Sequence, residues 1–146
     1  MRVSYGEMKR ELTRVLLKYG VEAERAEQSA AMFADASRDG IYTHGLNRFP
    51  ALIRSIENGD VDVRAQAELI GRFGMLEQWD GRHGIGNLNA KAAMERAVAL
   101  AKENGIGVVG LRNNNHWMRP GNYGLMAAEA GCIGILWTNT TPNMPP

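Results

Sequence analysis

The chain has 146 residues, 45% apolar and 23% charged, with 17 Lys and Arg against 16 Asp and Glu. This is the length and composition of a globular domain with a core of its own, which excludes a disordered chain. The near balance of charge excludes a basic nucleic-acid-binding surface, and no apolar run is long enough to cross a bilayer.

Cys132 is the one cysteine, so neither a disulfide framework nor a cysteine-based metal site is expected. The N-terminal stretch MRVSYGEMKRELTRV has no apolar signal core, and a cytoplasmic protein is the expectation. No metal, membrane or nucleic-acid partner is predicted.

The first element is a helix over residues 4–19. Met8, Leu12, Val15, Leu16 and Tyr19 recur at the spacing of one helical face. Ser4 and Glu7 form a capping-box pattern, and Gly20 suits the position after the helix end. An alanine-rich second helix is predicted from Ala23 to Arg38, ending near Gly40. A third, starting near Asn47 with Pro50 in its first turn, turns Leu52, Ile53 and Ile56 inward and leaves through Asn58–Asp60.

Beyond residue 60 the pattern changes. AELIGRFGMLEQWD reads as two short strands joined near Gly71 to Gly74, and LNAKAAMERAVALAKENG as a helix with Ala93, Ala97 and Leu100 on one face. IGVVGLR and CIGILWTN read as buried strands on either side of a short helix, YGLMAAEAG. The expected fold is α/β. An N-terminal helical segment (1–60) precedes alternating strands and helices (61–146) with a mixed, partly parallel sheet. Met8, Met32, Met75, Met94 and Met126 are expected to fill the core, and Trp79 and Trp137 to pack within strands.

The loop WDGRHGIGNLNA lies between a predicted strand and a predicted helix, where a dinucleotide cradle would sit. Its glycines, Gly81, Gly84 and Gly86, have the wrong spacing for G-x-G-x-x-G. Nor does an acidic residue end the following strand to hold a ribose. A structural turn is the favoured reading, with His83 exposed in it.

Chemistry concentrates in two stretches. In GIYTHGLNRFP, His44 and Arg48 stand four residues apart beside a helix start, a place that favours anions. The Arg48 fork suits a carboxylate, and a small 2-oxo or 2-hydroxy acid is a sensible ligand. From these residues alone His44 is a cap, a surface residue or a proton carrier. In RNNNHWMRPGNYG, three asparagines, His116, Trp117 and Arg119 follow a predicted strand, where ligand sites of α/β folds gather. This stretch reads as a polar turn or as the wall of a pocket, with Thr138 and Asn139 expected on the same side of the sheet.

The motifs YTHGLNRFP, IENGD, EQWDG, GIGNLNAKAAMERA, GIGVVGLRNNNHWMRPGNYG, AAEAGCIGILWTN and the closing MPP together resemble the N-terminal part of the malate/L-lactate dehydrogenase family. That family lacks a conventional Rossmann domain, and the resemblance runs through the whole chain. It implies NADH- or NADPH-dependent reduction of a 2-oxo acid. His44 would be the proton donor, Arg48 would bind the substrate carboxylate, and His116 would be a second catalytic residue, lining the pocket opposite the nicotinamide. Asn115 and Arg119 are further substrate-binding candidates, and Asn139 a cofactor-binding one. Family members are more than twice this long and dimeric. The chain is therefore expected to be part of a longer one, with most of the cofactor site beyond Pro146. A cofactor-less binding or assembly module is the alternative.

Overall fold

The computed structural model describes residues 3–139. Helices α1 (Tyr5–Lys18) and α2 (Ala23–Arg38) come first. A 3-10 turn (Tyr42–His44) and α3 (Phe49–Glu57) follow. Then come the strands β1 (Glu68–Phe73) and β2 (Leu76–Asp80), α4 (Gly86–Asn104), β3 (Val108–Arg112) and α5 (Pro120–Glu129). The capping box forms as the sequence predicts: the Ser4 hydroxyl accepts from the Glu7 amide, and the Glu7 carboxylate accepts from the Ser4 amide. Gly20, just past α1, takes a φ of 80°, where a side chain would be strained.

α1 and α2 pack together on Leu12, Leu16, Ala26, Ala30 and Phe33, and the edge of the Phe49 ring meets Phe33 at 5.2 Å between centroids. The same apolar cluster takes in Leu52, Val61, Ile85, Leu88 and Met118, so one core unites the helical segment with the α/β segment. Within it, Ser29 of α2 and Asn87 of α4 are both buried and exchange hydrogen bonds at 3.1 and 3.2 Å. That pairing satisfies two polar groups that would otherwise destabilise the interior.

The sheet has the order β1-β2-β3. β1 and β2 are an antiparallel hairpin with an irregularity between Leu69 and Gly71, and β2 and β3 are parallel, with α4 as the crossover. Glu77 points from β2 into the protein, where Arg96 of α4 grips its carboxylate at 2.7 to 3.1 Å and the Trp79 indole N–H donates at 3.0 Å. Those cationic and dipolar partners hold the Glu77 carboxyl below its ordinary pKa despite burial.

Several expectations are corrected. IGVVGLR is not a buried strand: β3 alternates exposed and half-buried residues, because helix α4 packs against it while Val108 and its neighbours Phe73 and Leu76 remain exposed. CIGILWTN forms no strand over its residues 132–139. Leu136 lies against Gly124 of α5, whereas Ile133 and Trp137 are 95% and 76% exposed, with no strand among the described residues to pair them. Trp137 is therefore not packed in a strand, and Met75, in the β1–β2 turn, is exposed rather than in the core. The closing residues TPNMPP of the sequence lie outside the described residues.

The packing yields a paired expectation in urea denaturation. Leu16→Ala, at a fully buried position, lowers unfolding stability by about 2–5 kcal/mol. Leu17→Ala, at a position 45% exposed, stays within about 0.5 kcal/mol. Equal losses would show that the α1–α2 seam is not the core.

Candidate active site

The site is built by two chain turns that meet beside the core. The first leaves α2 at Asp39 and reaches His44 within the 3-10 turn. Ser37 fixes its course: the hydroxyl donates to the Phe33 carbonyl at 2.9 Å and accepts from the Leu46 amide at 2.8 Å. Gly45 presses so closely on Ser37 that a Cβ there would clash. Because the chain is stapled at Leu46, α3 starts only at Phe49, with Arg48 as its N-cap and Pro50 in its first turn. His44 therefore does not sit on the helix N-terminus, as the sequence suggested, but one turn earlier.

The second turn, residues 113–119, follows β3. Its positions are anchored one by one. Asn114 accepts from the Asn89 side chain at 3.1 Å and donates to the Gly86 carbonyl at 3.2 Å. The Asn115 amide donates to the carbonyls of Asp60, His83 and Gly84 at 2.8 to 3.1 Å. Trp117 stacks on Tyr123 with centroids 5.5 Å apart, and the buried Tyr123 hydroxyl donates to the Trp117 carbonyl. Burial pushes that phenol well above its ordinary pKa, so it stays a donor. Met118 is buried, and Arg119 forms an ion pair with Asp39. His116 is exposed, and its ring reaches His44, with centroids 5.8 Å apart and planes tilted by 35°.

Both imidazoles are held below the ordinary histidine pKa. For His44 the main cause is desolvation, followed by the positive charges of Arg48 and Arg119. For His116 it is desolvation of the inward part of an otherwise exposed ring, followed by Arg48 and His44. Arg48 acts on both rings and, among the described residues, has no carboxylate partner. The corner is electropositive, with two neutral imidazoles and one unneutralised guanidinium, and suits an oxyacid bearing a second oxygen to be hydrogen-bonded.

Of the residues singled out in the sequence, His44, Arg48, His116 and Arg119 converge here. Asn115 lies behind them with its amide N–H groups committed to three backbone carbonyls. Asn139 lies in the exposed 132–139 segment rather than on a sheet, as does Thr138, which donates to the Asn139 carbonyl. Sequence reasoning missed Asp39, the partner of Arg119, and the Met118 amide, which donates to His116 Nδ1 at 3.0 Å. No local motif marks either contact. Thr43, whose hydroxyl meets His44 Nδ1 at 3.0 Å, was signalled only by adjacency.

The loop with Gly81, Gly84 and Gly86 is a packing device. A Cβ on Gly81 would reach the Asn113 carbonyl at 3.0 Å, one on Gly84 the Ala65 carbonyl at 2.7 Å, and one on Gly86 the carbonyls of Asn115 and His116 more closely still. The glycines are filled by protein backbone, so this loop does not fit a dinucleotide pyrophosphate. No helix among the described residues is long and apolar enough to cross a membrane.

Against known proteins, the model of the malate/L-lactate dehydrogenase family matches residues 3–146. The chain is similar to a 2,3-diketo-L-gulonate reductase of Mannheimia succiniciproducens, with 53% identity over 146 residues that cover all of this chain and 44% of that protein. Among solved structures it is similar to malate dehydrogenase from Pyrococcus horikoshii (TM-score 0.86, 34% identity, 90% of this chain and 38% of that one). It is also similar to sulfolactate dehydrogenase from Methanocaldococcus jannaschii (TM-score 0.85, 33% identity, 88% of this chain and 38% of that one). The chain thus spans less than half the length of these relatives. Its α/β architecture is that of these dehydrogenases, and the chain belongs to the malate/L-lactate dehydrogenase family.

Proposed function

We propose that the polypeptide carrying this sequence reduces the ketone of a 2-oxo acid with NADH or NADPH, its substrate being 2,3-diketo-L-gulonate and its product 3-dehydro-L-gulonate. The carrying observation is the convergence of His44 and His116 from turns 72 residues apart, 5.8 Å between ring centroids, beside Arg48, which has no carboxylate partner among the described residues. The substrate is suggested by 53% identity to a 2,3-diketo-L-gulonate reductase. Malate-, lactate- or ureidoglycolate-type activity is the nearest alternative within the family.

On this reading the Arg48 guanidinium holds the substrate carboxylate and directs the ketone toward His44. When a reduced nicotinamide is bound it supplies a hydride to the carbonyl carbon. The developing alkoxide takes a proton from His44, which becomes neutral and is recharged from solvent. The described residues supply the acid and the anion site. The glycine loop is filled by backbone and does not hold the dinucleotide; Asn139 is the one cofactor-binding candidate among the described residues.

Electrostatics make the acid conditional. In the free protein desolvation, and after it Arg48 and Arg119, oppose a charged His44. A carboxylate on Arg48 offsets that guanidinium's opposition and raises the His44 pKa, favouring the charged ring once substrate is in place.

A second reading, a cofactor-less assembly module, is favoured by the exposed Ile133, Ile135 and Trp137. Titrating NADH into the 146-residue chain separates the two. Saturable micromolar binding overturns the module, and binding only to a longer polypeptide supports a divided cofactor site and a homodimeric, cleft-bound enzyme.

In the longest polypeptide encoded by the reading frame, His44→Ala lowers the reduction rate by about 10²–10⁴; an unchanged rate removes the proton-donor role. Arg48→Ala raises KM for the acid, and unchanged KM and kcat would remove the carboxylate contact. Reduction requires protonated His44, so kcat/KM falls as pH rises through the depressed pKa of the free enzyme. Because bound substrate raises that pKa, kcat falls at a higher pH than kcat/KM does. Coincident midpoints would sink the coupling.

A further inference from the structure

The two histidines differ in what their inner nitrogens meet. His44 Nδ1 faces the Thr43 hydroxyl at 3.0 Å, and a hydroxyl donates or accepts as required. Nδ1 of His44 can therefore carry a proton or not, and the ring can cycle between imidazole and imidazolium. His116 Nδ1 faces the Met118 backbone N–H at 3.0 Å, which only donates. A proton on that nitrogen would set two N–H groups head to head.

The amide cannot turn away cheaply. Met118 is buried in the core cluster and sits at φ 66°, a left-handed conformation that is unfavourable for a residue with a Cβ and persists only where its surroundings impose it. On one side the Trp117 carbonyl is pinned by Tyr123; on the other Arg119 is tied to Asp39 and Pro120 opens α5. The charged groups facing the ring, Arg48 and His44, add to the opposition.

We propose that His116 is locked by the Met118 amide as a neutral imidazole with its proton on Nε2, a fixed hydrogen-bond donor to the substrate oxygen that His44 protonates. This rests on the reductase reading above. The ring centroids are 5.8 Å apart, close enough for both imidazoles to serve one small substrate. That oxygen would accept one hydrogen bond from a ring that gives up its proton and one from a ring that keeps it. The kept proton contributes because negative charge builds on the oxygen during reduction, as at an oxyanion site. Met118 is a positioning residue, acting through its backbone.

Two measurements test this separately from the reductase assignment. Long-range ¹⁵N–¹H NMR of the 146-residue chain, with His44→Gln and His83→Gln variants to assign its three histidines, reads the tautomer directly. The expected result is a pyridine-like Nδ1 and a protonated Nε2 on His116, retained below the ordinary histidine midpoint near 6.5. An Nδ1–H tautomer, a mixture, or an imidazolium at neutral pH overturns the lock. In the longest encoded polypeptide, His116→Ala lowers kcat by about 10²–10³. His116→Gln, whose terminal amide places N–H close to the Nε2 position, recovers part of the loss and leaves the midpoint of the kcat pH profile where His44 sets it. A wild-type kcat in His116→Ala, or an equal loss in both variants, overturns the donor role even if the tautomer is as stated. Absence of any 2-oxo acid reduction by the unsubstituted polypeptide overturns the reductase reading and leaves the tautomer result standing.

Discussion

The close approach of two backbones at Gly86 is the constraint from which the site follows. The first residue of α4 lies so near the carbonyls of Asn115 and His116 that no side chain fits between them. That contact presses the 113–119 turn onto the buried start of α4, and the neighbouring side chains complete the seam. Asn114 bridges Asn89 to Gly86, and Asn115 spans the carbonyls of Asp60, His83 and Gly84. A run of three asparagines is otherwise poor material for a rigid loop, since each can satisfy itself in several turn conformations. Here two of the three are spent on fixed backbone partners. The rigidity this gives to residues 116–119 is what sets an exposed histidine against one from a separate turn.

Much of this architecture is legible in the chain. The Ser4–Glu7 box and Gly20 bound α1, and the spacing of Leu12 and Leu16 identifies its buried face. The predicted span of α2 agrees with the observed one, and the strand pair around Gly74 forms as a hairpin. These features are local, encoded by residues within a turn or two of each other. What misleads is apolar content read as burial. CIGILWTN has the composition of a core strand, yet Ile133, Ile135 and Trp137 face outward because no strand among the described residues pairs with them. A strand's burial is a property of its neighbours, and a chain covering 44% of a 53%-identical relative need not contain them.

The site divides the same way. The i, i+4 spacing of His44 and Arg48 is visible in sequence, and so is the density of polar residues before Pro120. The helix-terminus argument for His44 fails because a contact between Ser37 and Leu46, nine residues apart, delays α3 to Phe49. Asp39 is unreadable for a related reason: its partner Arg119 lies 80 residues away, and nothing near either residue specifies the other.

That pairing also decides how the corner's charge is presented. Two guanidiniums act on His44, and if both were unpaired the corner would bind small anions with little preference for one position. Asp39 takes Arg119, assisted on its other flank by Arg38, and these cations keep the Asp39 carboxyl below its ordinary pKa. The ion pair ties the end of α2 to the start of α5, so it carries structure as well as charge. Arg48 is left as the cation whose field both imidazoles feel and which no carboxylate of the described residues quenches. On the reductase reading proposed above, a substrate carboxylate would be directed to one guanidinium rather than two, which would fix the position of the oxygen next to it. The selectivity of the corner thus rests as much on the charge that is already neutralised as on the one left open.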